Sequence, residues 1–137
     1  MVILLLVITT LLWGATPIIE KIGLAKVDPL VGVTVRSTVV TIGLFILLLF
    51  MGKGRELIEV SGRNILLFGA SGVMAGLLGM WTYYMALRME ATSKIVPIAA
   101  SYPLVTAFLS VLILREGVTL SRVAGTALIV SGIWLVK

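Results

Sequence analysis

The stretch from Asn64 to Lys137 holds three apolar runs of roughly twenty residues each, the length at which a helix crosses a ~30 Å hydrocarbon layer. Only two short polar segments, Arg88–Lys94 and Arg115–Arg122, separate these runs. Because such short segments cannot fold by themselves, they predict turns between antiparallel helices. The residues before Asn64 continue the same pattern, and the chain is therefore predicted to be a stack of membrane-spanning helices.

The composition excludes an ordinary soluble domain. Of the 137 residues, 60% are hydrophobic and only 12% are charged, whereas about a quarter of the residues of a soluble domain are charged. In lipid only helices and closed barrels satisfy the backbone, and the evenly apolar runs lack the alternation of barrel strands. The fold class expected is an all-α membrane protein, with residues 1–137 forming one domain.

The chain is apolar almost from Met1, without the basic start and small-residue cleavage site of a secretory signal. Its first run is therefore interpreted as a membrane helix. Five membrane helices are predicted in all, an odd number that places the two termini on opposite sides. They cover approximately residues 2–24, 30–51, 64–87, 92–114 and 120–136.

The basic residues outside the membrane spans divide evenly between the two predicted sides. One side carries Lys53, Arg55, Arg63, Arg115 and Arg122, and the other carries Lys21, Lys26, Arg88, Lys94 and Lys137. The positive-inside rule then gives no preferred orientation. Either some charges are miscounted at helix ends, or the chain inserts in both orientations and pairs with an inverted copy of itself.

Several kinds of chemistry are excluded by what the sequence lacks. Without cysteine or histidine there is no disulfide, thiol or imidazole chemistry. The carboxylates are too scattered for a metal site or an acid–base pair, and no P-loop motif for ATP is present. No enzyme activity, metal or cofactor is expected. The net charge of +5 is expected to act on lipid headgroups and topology, with no nucleic-acid partner.

Glu20 and Arg36 are charges inside predicted spans, where a charge at the bilayer centre costs about 3 kcal/mol. Their similar depth on adjacent helices predicts an ion pair or two charges flanking a cavity mouth, although Arg36 alternatively extends to the headgroups. Trp13 shares a helix face with Glu20, an arrangement suited to a cation. Glu20 is therefore a candidate for binding a proton or a cationic substrate. Lys21 is interpreted as an interfacial anchor or another cavity-mouth charge.

The predicted fourth helix contains Pro97 and Pro103. Pro97 lies near the helix start, but Pro103 is interior and is expected to bend or loosen the helix. Broken helices mark binding sites in many transporters. The alternative is a kink whose backbone groups are satisfied by neighbouring helices. A mildly polar face beside the kink supplies further candidate substrate contacts: Tyr102, Thr106 and Ser110.

Two groups of glycines are predicted to let helices approach closely, either as static packing or as surfaces that slide during transport. On an α-helix the first group forms one stripe. The groups are Gly69, Gly72, Gly76 and Gly79 in the third helix and Gly125 and Gly132 in the fifth. Aromatic residues near the end of the third helix are interpreted as a headgroup belt: Trp81, Tyr83 and Tyr84.

The sequence resembles EamA-type transporters of the drug/metabolite transporter superfamily over nearly its whole length. The matching elements, in chain order, are Trp13–Gly14 with Lys21, then Arg36, the segment Tyr84–Leu87, Pro103, the turn Arg115–Thr119, and Gly125 with Gly132. The resemblance implies a five-helix repeat that moves small organic molecules. Glu20 departs from the commonest pattern of the family, so its role rests on the residue argument alone.

Most members of this superfamily join two repeats in one chain, whereas this chain has one, as in the small five-helix bacterial and archaeal transporters. The resemblance therefore implies an antiparallel homodimer in a prokaryotic inner or plasma membrane. The function expected is secondary transport of small metabolites or drugs by alternating access. Two alternatives stay open: a non-transporting membrane subunit or assembly factor, and one half of a ten-helix transporter.

Overall fold

The computed structural model describes residues 1–117 and 119–136. Val118, in the predicted turn Arg115–Thr119, and Lys137, one of the counted charges, lie outside the described residues. The protein is 86% helical with no strand in its described part, which confirms the all-α prediction. The chain forms two compact units, one covering Met1–Met89 and the other starting at Glu90, and each is described by itself.

The first unit consists of helices that run in chain order. These are α1 (Val2–Leu24), α2 (Pro29–Phe50), α3 (Gly54–Ile58), α4 (Gly62–Ser71), a π-helical segment (Gly72–Gly79) and α5 (Met80–Met89). The last three form one continuous span of 28 residues, Gly62–Met89.

Local capping explains where α2 begins and ends. The Asp28 side chain accepts a hydrogen bond of 2.9 Å from the backbone N–H of Leu30, and the following proline suits the first helical position. At the other end Gly52 adopts a positive φ of 68°. There the N–H of Lys53 bonds the carbonyl of Leu48 at 2.9 Å, the Schellman arrangement that stops a helix. Both ends of α2 are therefore fixed by the residues immediately around them.

The π-helical segment differs from the α-helix expected throughout the third span. Its backbone follows an i→i+5 pattern in place of i→i+4, which changes the rotation from one residue to the next. The α-helical spacing that aligned Gly69, Gly72, Gly76 and Gly79 on one stripe therefore does not hold across Gly72–Gly79. The packing role of these glycines remains a prediction.

The second unit contains α6 (Thr92–Ala99), α7 (Tyr102–Leu114) and α8 (Leu120–Val136). The predicted fourth helix is interrupted at Ala100 and Ser101, within one turn of Pro103, which takes an early position of α7. Pro97 lies inside α6. The turn before α8 is held by Arg122, which lies 3.5 Å from Glu116 and donates to the carbonyl of Gly117 at 3.0 Å.

Four helical stretches in the described part are long and apolar enough to cross a membrane: Val2–Leu24, Pro29–Phe50, Gly62–Met89 and Thr92–Leu114. The fifth, α8, has 17 residues, which is at the lower limit of about 17–25 for a spanning helix. The five-helix prediction is thus roughly consistent with the structure. Most apolar side chains of these helices are exposed, as expected for surfaces that face lipid.

The buried apolar residues identify where the first unit is tightly packed. Among the described residues, fully buried hydrophobic side chains are confined to Leu24, Val33, Tyr84 and Leu87. They come from the end of α1, the start of α2 and the end of α5. The three helices therefore meet at the end of the unit that carries the short α1–α2 loop.

Candidate functional site: a polar contact of three helices beside an apolar pocket

A pocket of about 410 Å³ opens where α1, α2 and α5 meet. This volume is within the range of about 300–1,000 Å³ typical of small-molecule sites. Most of its wall is aliphatic or glycine backbone, so the few polar side chains define its chemistry. Its lining residues are Thr16, Ile19, Glu20, Gly23, Leu24, Val27, Gly32, Val35, Arg36 and Tyr84.

Glu20 is the centre of the polar contact. Its side chain is only 8% exposed, and its Oε1 atom accepts a hydrogen bond of 2.8 Å from the Tyr84 hydroxyl. The Nε of Arg36 lies 3.6 Å from the same oxygen. The structure therefore pairs the two intramembrane charges across α1 and α2 and adds a third group from α5. A carboxylate held in this way faces the interior of the unit, where intramembrane charges are usually functional.

Arg36 is the more accessible partner, with 41% of its side chain exposed. It thus combines contact with Glu20 and an exposed portion, between the two interpretations made from the sequence. Because the pair carries one negative and one positive charge, the contact is electrically neutral as a whole. Neutrality lowers the free energy needed to keep both charges away from water.

Tyr84 is the site residue that the sequence interpretation misses. The sequence pattern places it in a headgroup belt, whereas the structure buries it to 4% exposure against Glu20. The belt interpretation is therefore wrong for Tyr84. A signal is present in the sequence, since Tyr84 opens the segment Tyr84–Leu87 that contributes to the family resemblance. Composition alone cannot distinguish a belt tyrosine from a tyrosine that faces a buried carboxylate.

A close helix approach fixes the Tyr84 ring. A Cβ atom at Gly32 would lie 3.3 Å from both Leu24 Cδ2 and Tyr84 Cε2, tighter than ordinary van der Waals contact. Glycine at this position lets α2 approach the ring of α5 and the end of α1. The glycines singled out from the sequence do not include this one, because a single glycine gives no repeating pattern.

Lys21 forms the second polar contact between α1 and α5. Its Nζ donates to the carbonyl oxygen of Leu87 at 2.5 Å and to that of Arg88 at 3.3 Å. These carbonyls belong to the last turn of α5, where helix geometry leaves four acceptors without an intrahelical donor. The ammonium also lies at the negative end of the helix dipole. Lys21 thus caps α5 from the neighbouring helix.

The remaining candidate residues do not line this pocket. Trp13 lies on α1 with 66% of its surface exposed. On α7, Tyr102 is 58% exposed, while the Thr106 and Ser110 hydroxyls donate to backbone carbonyls of their own helix at 3.3 Å and 3.0 Å. These α7 residues belong to the second unit. Their role as substrate contacts, like that of Trp13, remains a prediction.

No group of three or more potential metal-binding side chains occurs in the part of the chain that the structure describes. Within that part, the polar contact has one carboxylate, one guanidinium and one phenol. Such a set is suited to binding a proton or a small polar group by hydrogen bonds and charge.

Comparison with known proteins connects this geometry with membrane transport. Residues 1–137 match the model of the EamA-like transporter family. An uncharacterized protein of Methanocaldococcus jannaschii is 29% identical over 96 residues, which are 70% of this chain and 69% of that protein. An uncharacterized transporter of Sinorhizobium sp. is 25% identical over 118 residues, 85% of this chain and 82% of the relative. No solved structure matches the chain.

Proposed function

Because the chain belongs to the EamA-like transporter family, we propose that it is a secondary transporter of small organic metabolites or drugs. The observation that carries this proposal is the buried Glu20 carboxylate, bound by Tyr84 and Arg36 at the wall of an apolar pocket. In membrane proteins, ionisable groups inside a span commonly mark the path of a substrate or proton. The pocket supplies apolar contact area, and the polar contact supplies orientation.

We further propose that substrate or a proton acts by competing for the Glu20 oxygen. Either ligand would weaken the bonds to Tyr84 and Arg36, which join three helices at one end of the unit. Loosening that junction is a physical route to alternating access, since the helices are held together there by few buried residues. The break before Pro103 in the second unit is a further candidate hinge, with Tyr102, Thr106 and Ser110 beside it.

The proposed working form is an antiparallel homodimer in the cell membrane. The even division of basic residues supports it, because neither side then determines the orientation. The two relatives support a lone repeat, since each is about as long as this chain. A reporter fused to the C-terminus is expected to signal on both sides of the membrane. Signal from one side only would contradict dual orientation without affecting the transport proposal.

The transport proposal is tested with purified protein in proteoliposomes. A panel of amines, amino acids and other small metabolites is offered under a pH gradient, and uptake is compared between wild type and Glu20→Gln. Wild type is expected to take up at least one solute, and Glu20→Gln to lose most of that uptake or its dependence on pH. A variant with unchanged pH dependence and rate would remove Glu20 from the mechanism.

A second arm tests whether the pocket itself holds the solute. Gly23 lines the pocket, and a Cβ added there would meet nothing within 4 Å; Gly43 on α2 is equally open but lies outside the lining. Gly23→Leu is expected to reduce uptake of the larger solutes first, whereas Gly43→Leu leaves uptake near the wild-type level. Equal effects of the two variants would place the solute elsewhere.

A non-transporting subunit is the second candidate function. The observation that favours it is the open space at Gly69, Gly72 and Gly76, where an added Cβ would meet nothing within 4 Å. Open glycine surfaces suit close contact with another membrane helix. A monomer that transports none of the solutes and is recovered with one membrane partner would support this function over transport.

A further inference from the structure

We infer that Lys21 is a positioning residue, which holds α1 against the end of α5 at the height where Glu20 meets Tyr84. The inference rests on two consecutive residues of α1 that bind the same short part of α5. Lys21 binds the Leu87 and Arg88 carbonyls, and Glu20 binds the Tyr84 hydroxyl. Lys21 itself is absent from the pocket lining among the described residues.

Helix geometry explains why the two contacts fix one position. Tyr84 is three and four residues before Leu87 and Arg88, so the three groups lie on one face of α5. Consecutive side chains of α1 leave the helix in directions about 100° apart, and they reach this face from two angles. Together the contacts determine both the rotation of α1 and its height along α5.

The two contacts differ in what can release them. The Glu20 bond depends on the charge of a carboxylate that a proton or solute can occupy. The Lys21 bonds use backbone carbonyls that have no other helical donor and an ammonium at the favourable end of a helix dipole. Lys21 therefore keeps α1 in place while the Glu20 contact opens and closes. Its effect on solute binding is exerted through Glu20 and Tyr84.

The first test is independent of transport. Since the chain contains no cysteine, Ile18→Cys on α1 and Met85→Cys on α5, both exposed, accept nitroxide labels specifically. The distance distribution between the labels is expected to be narrow, to broaden with Lys21→Met, and to stay narrow with Lys21→Arg. Lys26→Met, at an exposed loop lysine, serves as the control. Equal distributions in all variants would overturn the inference.

The second test rests on the proposed function and uses a double-mutant cycle. Lys21→Met is expected to raise the KM for uptake about tenfold, with Lys21→Arg within about twofold of wild type. Because Lys21 acts through the Glu20–Tyr84 contact, Lys21→Met combined with Tyr84→Phe is expected to be little worse than either single variant. Fully additive effects would indicate a general structural role and overturn the inference.

The two failures are distinguishable. If wild type takes up no solute, the transport proposal fails and the label distances alone decide the role of Lys21. If uptake occurs but the distances and the cycle are unchanged by Lys21→Met, the inference fails and transport stands. Should Lys21→Met not insert as a folded protein, Lys21→Gln, which keeps a donor without the charge, is measured in its place against the same two expectations.

Discussion

Tyr84→Phe removes one oxygen atom and isolates the contribution of the Glu20 contact. The lost bond is a 2.8 Å O–H···O bond to a carboxylate that is 8% exposed. A hydrogen bond to a charged group contributes about 1.5–3 kcal/mol in soluble proteins. Interhelical bonds in membranes contribute less, about 0.6 kcal/mol on average and up to about 1.7 kcal/mol.

For Tyr84 the upper part of the membrane range applies, because the acceptor is charged and the ring is buried. Arg36 stays within 3.6 Å of the same oxygen and limits the loss. We therefore expect Tyr84→Phe to lower the free energy of unfolding by about 1.5 kcal/mol. The measurement is reversible unfolding in mixed micelles by increasing the fraction of denaturing detergent, followed by circular dichroism.

The neighbouring tyrosine provides the matched control. The Tyr83 ring centroid lies 6.2 Å from that of Tyr84, but Tyr83 does not line the pocket in the described part of the chain. Tyr83→Phe is expected to change the free energy of unfolding by less than about 0.5 kcal/mol. Equal losses for Tyr83→Phe and Tyr84→Phe would refute the reasoning, since the Glu20 contact would then contribute nothing of its own.

Two further predictions concern glycines in the same unit. Gly32→Ala is expected to be about 1–3 kcal/mol less stable than Gly43→Ala, because both gain helix propensity but only the first places a Cβ 3.3 Å from Leu24 and Tyr84; equal unfolding midpoints would contradict the close approach. Gly79→Ala is expected to be about 1 kcal/mol less stable than Gly76→Ala, because its Cβ would lie 3.0 Å from the backbone oxygen of Met74. Midpoints that do not differ would show that the π-helical segment rearranges without cost.

The fold class follows from the sequence because run length and composition are decisive in a membrane. The pairing of Glu20 with Arg36 also follows, since equal depth on adjacent helices limits the partners of a buried charge. The role of Tyr84 does not follow, because it depends on the rotation of α5 about its axis. That rotation is altered by the π-helical segment before it, and apolar periodicity does not encode a change of backbone hydrogen-bond register.

For Lys21 the sequence likewise gives only a general location, as an anchor or a charge at a cavity mouth. Its acceptors are main-chain oxygens of Leu87 and Arg88, and backbone carbonyls leave no mark in the identity of the residues that carry them. Gly32 escapes prediction for a similar reason, since one glycine acquires meaning only when the ring it accommodates is known. These omissions share a cause, because each contact joins elements far apart in the chain.

The separation of Glu20 and Tyr84 along the chain has a consequence for biosynthesis. The hydroxyl donor is made 64 residues after the carboxylate, an interval of roughly 3–13 s at a synthesis rate of about 5–20 residues per second. Arg36 emerges from the ribosome much earlier, in the very next helix. During this interval the nascent helical hairpin carries its own counter-ion, so the translocon releases a neutralised pair into lipid before the third span arrives.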